Sequence, residues 1–199
     1  MLHTPNIGLT GLCAEALGIP LFLGSTEGEK ETELEDIRQT IKSAKEMYQF
    51  DVLGTGGIAS NYQKKRIDRI LMDCNVHPLT PLWGINQESY MLELLRIGYN
   101  FIITSVSAEG LDESWLNRKI DIPSVLELIR LSKHHGFNVA LEGGEGETLV
   151  LDCPLYREFR IDIIEATKVW EGDSGFLHIA KASLVKKDLK DSELKSIQA

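Results

Sequence analysis

Short apolar runs along this chain alternate with longer stretches in which apolar residues recur every three or four positions. Ile19-Pro20-Leu21-Phe22-Leu23-Gly24 is short, apolar and closed by glycine, which predicts a buried strand. Over residues 29–49, Leu34, Ile37, Ile41, Ala44 and Tyr48 share one face at helical spacing, with Glu and Lys elsewhere, which predicts an amphipathic helix. Asp51–Leu53 begins another strand, ending in Gly54-Thr55-Gly56-Gly57. A basic helix follows over residues 60–74, and then a strand from His77 to Trp83. Ahead of these, Met1-Leu2-His3-Thr4-Pro5-Asn6 reads as the end of a strand entering a loop, and residues 9–17 as a short helix with Thr10 as its N-cap. Strands alternating with helices predict a parallel α/β sheet, whose ligands gather beyond the carboxyl ends of the strands. Two loops stand there, His3–Asn6 and Gly54–Ser60.

After Trp83 the pattern changes. A helix over residues 87–97 precedes a strand, Phe101–Val106. A second helix over residues 123–133 turns Val125, Leu128 and Ile129 inward, with Asp121 as its cap. Asn138–Leu141 and Thr148–Leu151 read as strands flanking a glycine-rich loop. Arg157–Trp170 and Phe176–Lys186 read as a final antiparallel pair joined through Gly172-Asp173-Ser174-Gly175. The expected organisation is a parallel α/β domain over residues 1–84, an α+β domain over 85–186, and a charged tail over 187–199.

Composition narrows the function classes. The chain is 43% hydrophobic and 26% charged, within the range of an ordinary soluble globular protein. It shows neither an apolar run of membrane-spanning length nor a signal peptide. A net charge of −9 argues against nucleic acid as the main partner. Cys13, Cys74 and Cys153 are odd in number and widely spaced, so they read as reduced thiols of a cytoplasmic protein rather than metal ligands or disulfides.

The densest chemistry lies in Glu142-Gly143-Gly144-Glu145-Gly146-Glu147-Thr148, running on through Leu149 to Pro154. Glycines let a backbone approach a ligand, and carboxylates crowded together call for a cation, a metal or a hydrogen-bonding ligand. The competing reading is a solvated acidic turn. Gly54–Arg66 joins a strand end to a helix start, where free N–H groups attract anions. There Gly56 and Gly57 admit a phosphate, Ser60 caps and bonds it, and Arg66, near Tyr62 and Gln63, clamps it; a capped helix with a basic face is the alternative. Glu109, Gly110 and Asp112 add carboxylates after a strand, with Asp112 also suited to capping the turn at Ser114. His134 and His135 fit a helix C-terminus, and Cys153 a buried structural thiol.

These segments together resemble the diphthine–ammonia ligase family, adenine-nucleotide α-hydrolase-like enzymes of the N-type ATP pyrophosphatase group. The resemblance runs from Met1 to about Ile164. It rests on His3-Thr4-Pro5-Asn6, on Ile58-Ala59-Ser60-Asn61-Tyr62-Gln63 with Arg66, on Pro81-Leu82-Trp83-Gly84, on Ala108 to Leu116, and on the acidic glycine loop through Pro154. It implies a Rossmann-like sheet of the HUP type and an amide ligation on elongation factor 2. The carboxylate of diphthine, a modified histidine, is adenylated by ATP with loss of pyrophosphate, and ammonia then displaces AMP. ATP and Mg²⁺ are the implied cofactors. By the same resemblance His3, Thr4, Asn6, Gly56, Gly57, Ser60, Tyr62, Gln63 and Arg66 line the nucleotide site. Glu109, Gly110, Asp112, Glu142, Gly143, Gly144, Glu145, Glu147 and Thr148 meet the substrate, whose trimethylammonium group suits carboxylates and aromatic faces. No catalytic group and no metal ligand is singled out.

One departure stands out. The family opens with a strand and a Ser-Gly-Gly-Lys-Asp-Ser type loop around the pyrophosphate of ATP, and this chain has no such loop. The expected parallel sheet is therefore incomplete, with edges that rearrangement or a homo-oligomer would cover. A module that keeps the acidic pocket without turning over ATP is the alternative function.

Overall fold

In the computed structural model, which describes residues 6–29 and 32–187, the chain packs into two units, residues 21–85 and residues 6–20 together with 86–187. The second unit thus takes up residues 6–20, which pattern alone had assigned to the first domain. These residues form a 3-10 turn, Ile7–Leu9, and helix α1, Thr10–Leu17. Thr10 is the first helical residue rather than the cap: its hydroxyl donates to the Ile7 carbonyl at 2.7 Å. Residues 1–5, with the expected strand end, lie outside the described residues.

In the first unit, α2 (Thr32–Tyr48) packs on α3 (Asn61–Asp73), which links β1 (Val52–Gly54) to the parallel strand β2 (His77–Leu79). Ile41 of α2 meets Ile70, Leu71, Cys74 and Val76 in a small core, edged by Leu34, Ile37, Leu53 and Ile67. Lys45 of α2 donates to the Asn75 carbonyl at 2.5 Å, placing a cation at the negative end of α3. The strand expected over Ile19–Gly24 is not formed. Among the described residues only β1 and β2 pair here, so this run has no described ladder to join, and Leu23 is left 67% exposed. Phe22 instead lies edge-on to Tyr48, and Gly24 sits where a side chain would strike Thr40, both on α2. The strand expected to reach Trp83 stops at Leu79, and Pro81–Gly84 turns, with the Gly84 amide donating to the Ile58 carbonyl at 2.9 Å.

The second unit is an antiparallel sheet in the order β4-β3-β6-β5, formed by β3 (Asn100–Val106), β4 (Gly146–Asp152), β5 (Phe159–Glu171) and β6 (Ser174–Lys186). Strand alternation sends Phe101 and Ile103 to the face covered by α4 (Gln87–Arg96) and α5 (Ile122–His135). There they join Met91, Trp115, Val125 and Leu128 in the largest core. Ile102 points to the opposite face, beside Leu177 and Ile179, with Leu9 against them. Ala16 of α1 packs with Cys153, Tyr156 and Ile161, and its carbonyl accepts from the Arg157 amide at 2.9 Å. That burial is what draws residues 6–20 into this unit.

β3 and β6 pair only at Ser105–Val106. Further along, residues 116–120 take the edge of β3, with Asn117 N donating to the Ile103 carbonyl at 2.9 Å and Ile120 N to that of Phe101 at 3.0 Å. The freed backbone of β6 is met by one side chain. Asn6 Nδ2 donates to the Leu177 carbonyl at 2.9 Å, and its Oδ1 accepts from Ile179 N at 3.2 Å, as a paired strand would. The expected strand Asn138–Leu141 is a turn closed by Leu141 N on the Asn138 carbonyl at 2.9 Å, because side chains satisfy its backbone instead of a neighbouring strand. The fold class is α/β, a parallel β-α-β piece and an α+β unit. Among the described residues no helix is long and apolar enough to cross a membrane.

Candidate functional site

In the first unit the candidate nucleotide residues cluster where β1 runs into α3. Ser60 has extended backbone and its Oγ accepts from Gln63 N at 3.4 Å, which starts the helix as the sequence predicts. Gly56 is exposed, with open space where a side chain would stand, and Gly57 is half-buried beside it. The Arg66 guanidinium lies over the Tyr62 ring at 4.1 Å. That contact sets a cation against an aromatic face near the helix start. Lys64 pairs with Asp68 and lies 5.5 Å from the Trp83 ring. Backbone amides, a hydroxyl and a guanidinium therefore share one helix start, the arrangement that binds anions. His3 and Thr4 lie outside the described residues.

The acidic glycine loop of the second unit is folded around one of its own carboxylates. Glu145 Oε1 accepts from Asn138 N at 3.0 Å and from Asn138 Nδ2 at 2.8 Å, while Oε2 accepts from Gly143 N. A side chain at Gly143 would collide with that carboxylate. Gly144 has φ +90, and its carbonyl accepts from Ser107 Oγ at 2.6 Å. Gln87 of α4 completes the loop by accepting from Ala140 N at 3.1 Å. Crowded carboxylates had suggested an external cation, but Glu145 faces inward and is satisfied by N–H groups. Glu142 stands near Tyr90, whose phenol is pushed up by burial first and then by the charges of Tyr99 and Glu142.

Glu109, Gly110 and Asp112 sit beside the end of α5. Glu109 is exposed, its Oε1 3.6 Å from His135 Nδ1. Gly110 has φ +90, and the His135 ring fills the space a side chain would need. Gly110→Ala is expected to destabilise this unit by about 1–3 kcal/mol, because a Cβ there has both a strained backbone and a ring to displace. Equilibrium urea unfolding measures this. A neutral result would mean that the loop rearranges freely.

Asp112 acts as a cap, accepting from Ser114 N at 2.9 Å and from the Ser114 hydroxyl. Asp121 does the same with Ser124 at the start of α5. In both, the serine hydroxyl and then its amide hold the carboxyl below the ordinary value of 3.8. A lowered folded pKa means the caps contribute fully above pH 3.8 and lose their contribution as pH falls through the folded value. Carbon NMR titration is expected to show both midpoints below 3.8, and Ser114→Ala is expected to return Asp112 alone toward it. An unmoved Asp112 would contradict the assignment.

Asn6, Glu147 and Thr148, by contrast, come together. They line a cavity of about 460 Å³ within the second unit, with Tyr99, Thr104 and Tyr156 among its other walls. The sequence reading had not picked out those three. Thr104 interrupts an apolar strand, a signal that could have marked it, while Tyr156 follows the Cys153-Pro154 turn and carries none. Tyr156 OH donates to the Val150 carbonyl at 3.1 Å. Among the described residues no three His, Cys, Asp or Glu side chains converge as metal ligands.

Comparison with known proteins gives two family-model matches, the diphthamide synthase N-terminal domain over residues 1–78 and the diphthamide synthase C-terminal domain over residues 86–185. The chain is 32% identical to the diphthine–ammonia ligase of Mus musculus, across 96% of this chain and 75% of that protein. For the Homo sapiens protein of the same name the identity is 31%, over the same shares. For that of Schizosaccharomyces pombe it is 30%, across 89% of this chain and 31% of the longer yeast protein.

Proposed function

This chain belongs to the diphthamide synthase family, and from that premise we propose that it is an ATP-dependent ligase converting diphthine on elongation factor 2 to diphthamide with ammonia. The observation that carries the nucleotide half is the α3 start, with Ser60, Gln63 and the Arg66 guanidinium over the Tyr62 ring. Amides and guanidinium there bind phosphate oxygens, and Arg66 gains weight as negative charge shifts to the leaving pyrophosphate. A carboxylate oxygen of diphthine forms a bond to the α-phosphorus, and the bond to pyrophosphate breaks. Ammonia then bonds to the acyl carbon, AMP leaves with the carbon–oxygen electron pair, and the spare proton passes to solvent. The carboxylates of the second unit, Glu109, Glu142 and Glu147, face the trimethylammonium group. It gives no hydrogen bond and is met by charge and aromatic surface alone. Elongation factor 2 places the reaction in the cytoplasm.

Incubation with ATP, ammonium and diphthine-bearing elongation factor 2 is expected to yield AMP, pyrophosphate and the amide in equal amounts. Arg66→Ala is expected to cut AMP formation by about 100-fold, and Arg66→Lys to rescue little of it, since an ammonium cannot offer the flat two-pronged edge. ATP left intact with all three substrates present would overturn this reading, and would favour a module that binds without turnover.

A further inference from the structure

Gln87, the first residue of α4, makes two hydrogen bonds of opposite kind to the acidic glycine loop. Its Oε1 accepts from Ala140 N at 3.1 Å, and its Nε2 donates to Asn138 Oδ1 at 3.2 Å. Asn138 repeats the pattern, for its Oδ1 accepts while its Nδ2 donates to Glu145 Oε1 at 2.8 Å. Glu145 Oε2 then accepts from Gly143 N. The line therefore has a direction. The Ala140 amide at one end can only donate and the carboxylate at the other can only accept, so each side-chain amide between them has one favourable orientation. Gln87, Asn138 and Glu145 are all half-buried, and Val139 and Leu141 pin the same turn into the largest core.

The last peptide in that line joins Glu142 to Gly143. Its N–H is held by Glu145, which fixes the plane from which the Glu142 side chain starts. We infer that Gln87 is a positioning residue for substrate binding, acting through Asn138 and Glu145 to set where Glu142 stands. The inference deepens the function proposed above and rests on it for the idea that Glu142 meets the trimethylammonium group. That nitrogen keeps its charge and its four bonds throughout the reaction. A misplaced Glu142 therefore weakens substrate and transition state alike, a loss that falls on KM rather than on kcat. The nucleotide residues at the α3 start belong to the first unit, so binding of ATP is untouched.

Gln87→Leu removes both bonds, and Gln87→Glu sets an oxygen against Asn138 Oδ1. Each is expected to raise the KM for diphthine-bearing elongation factor 2 about tenfold, with kcat and the KM for ATP within about twofold of wild type. Calorimetry without ATP is expected to show the same weakening in the Kd of the factor, so the test does not depend on turnover. Gln87→Glu combined with Glu145→Gln reverses the line. Asn138 can then turn, donating toward position 87 and accepting from position 145, and only the contact at Asn138 N is lost. The double variant is expected to bind the factor within about threefold of wild type, and more tightly than Gln87→Glu alone. The inference is overturned if both single variants keep wild-type affinity, or if kcat or the KM for ATP changes as much as the KM for the factor. It is also overturned if the double variant is no better than Gln87→Glu, or if the wild-type protein does not bind the factor. A wild type that binds the factor but forms no AMP would instead sink the ligase reading and leave this inference standing.

Discussion

Replacing Glu145 with alanine is expected to destabilise the second unit by about 2–4 kcal/mol, although the position is an acidic residue in a surface loop. One carboxylate accepts from Asn138 N, Asn138 Nδ2 and Gly143 N. Its loss leaves two backbone N–H groups without partners in a segment where Leu141 already has φ +58. The charge itself should matter little: Glu145→Gln keeps one acceptor oxygen, so it is expected to fall between wild type and alanine. Urea midpoints of the three proteins measure this, and hydrogen exchange at Asn138 and Gly143 localises it. If Glu145→Ala unfolds at the wild-type midpoint, or if glutamine is the worse of the two, the loop is not built around this side chain. Glu142→Ala serves as the contrast within the same loop and is expected to change stability by less than about 1 kcal/mol.

Leu128→Ala is expected to be more severe, at about 3–5 kcal/mol. Leu128 is fully buried in the largest core, between the sheet face of Phe101 and Ile103 and the segment at Trp115–Ile120. A cavity there cannot collapse easily, since β3 is held on both edges, by β4 on one side and by β6 and residues 116–120 on the other. That loss is a large part of the stability of a typical domain. It also travels to the candidate site. α5 ends at Gly136, Ser132 Oγ donates to the Phe137 carbonyl at 2.5 Å, and the next residue is the Asn138 that Glu145 grips. Faster exchange is therefore expected both in α5 and at Asn138. Protection lost in α5 but unchanged at Asn138 would mean that the loop is anchored independently of the helix.

What the sequence made legible is what is decided locally. Ser60, Asp112 and Asp121 were readable as caps because an acceptor side chain and its amide lie two or three residues apart. The amphipathic helices and the long β5–β6 pair followed from periodicity and a glycine turn. Ile19–Gly24 misled because an apolar run reports burial potential, whereas a strand also needs a neighbour to pair with. Asn138–Leu141 misled for the complementary reason, its backbone being satisfied by Glu145 and Gln87 rather than by a ladder. Counting carboxylates could not separate Glu145, which faces inward, from Glu147, which lines the cavity. Asn6 had been read as a nucleotide contact by resemblance. Its grip on β6 spans 171 positions and has no local trace.

The early residues that belong to the later unit set an order of events during synthesis. Thr10–Leu17 leaves the ribosome with its apolar side ready, but Cys153, Tyr156 and Ile161, which cover Ala16, are made on the order of ten seconds later at ordinary translation rates. During that interval residues 21–85 can complete their own small core, while the second unit cannot close until both its ends exist. A ribosome stalled near Pro154 would therefore hold one finished unit and one half-assembled sheet with a bare helix, the state most exposed to chaperone capture or aggregation.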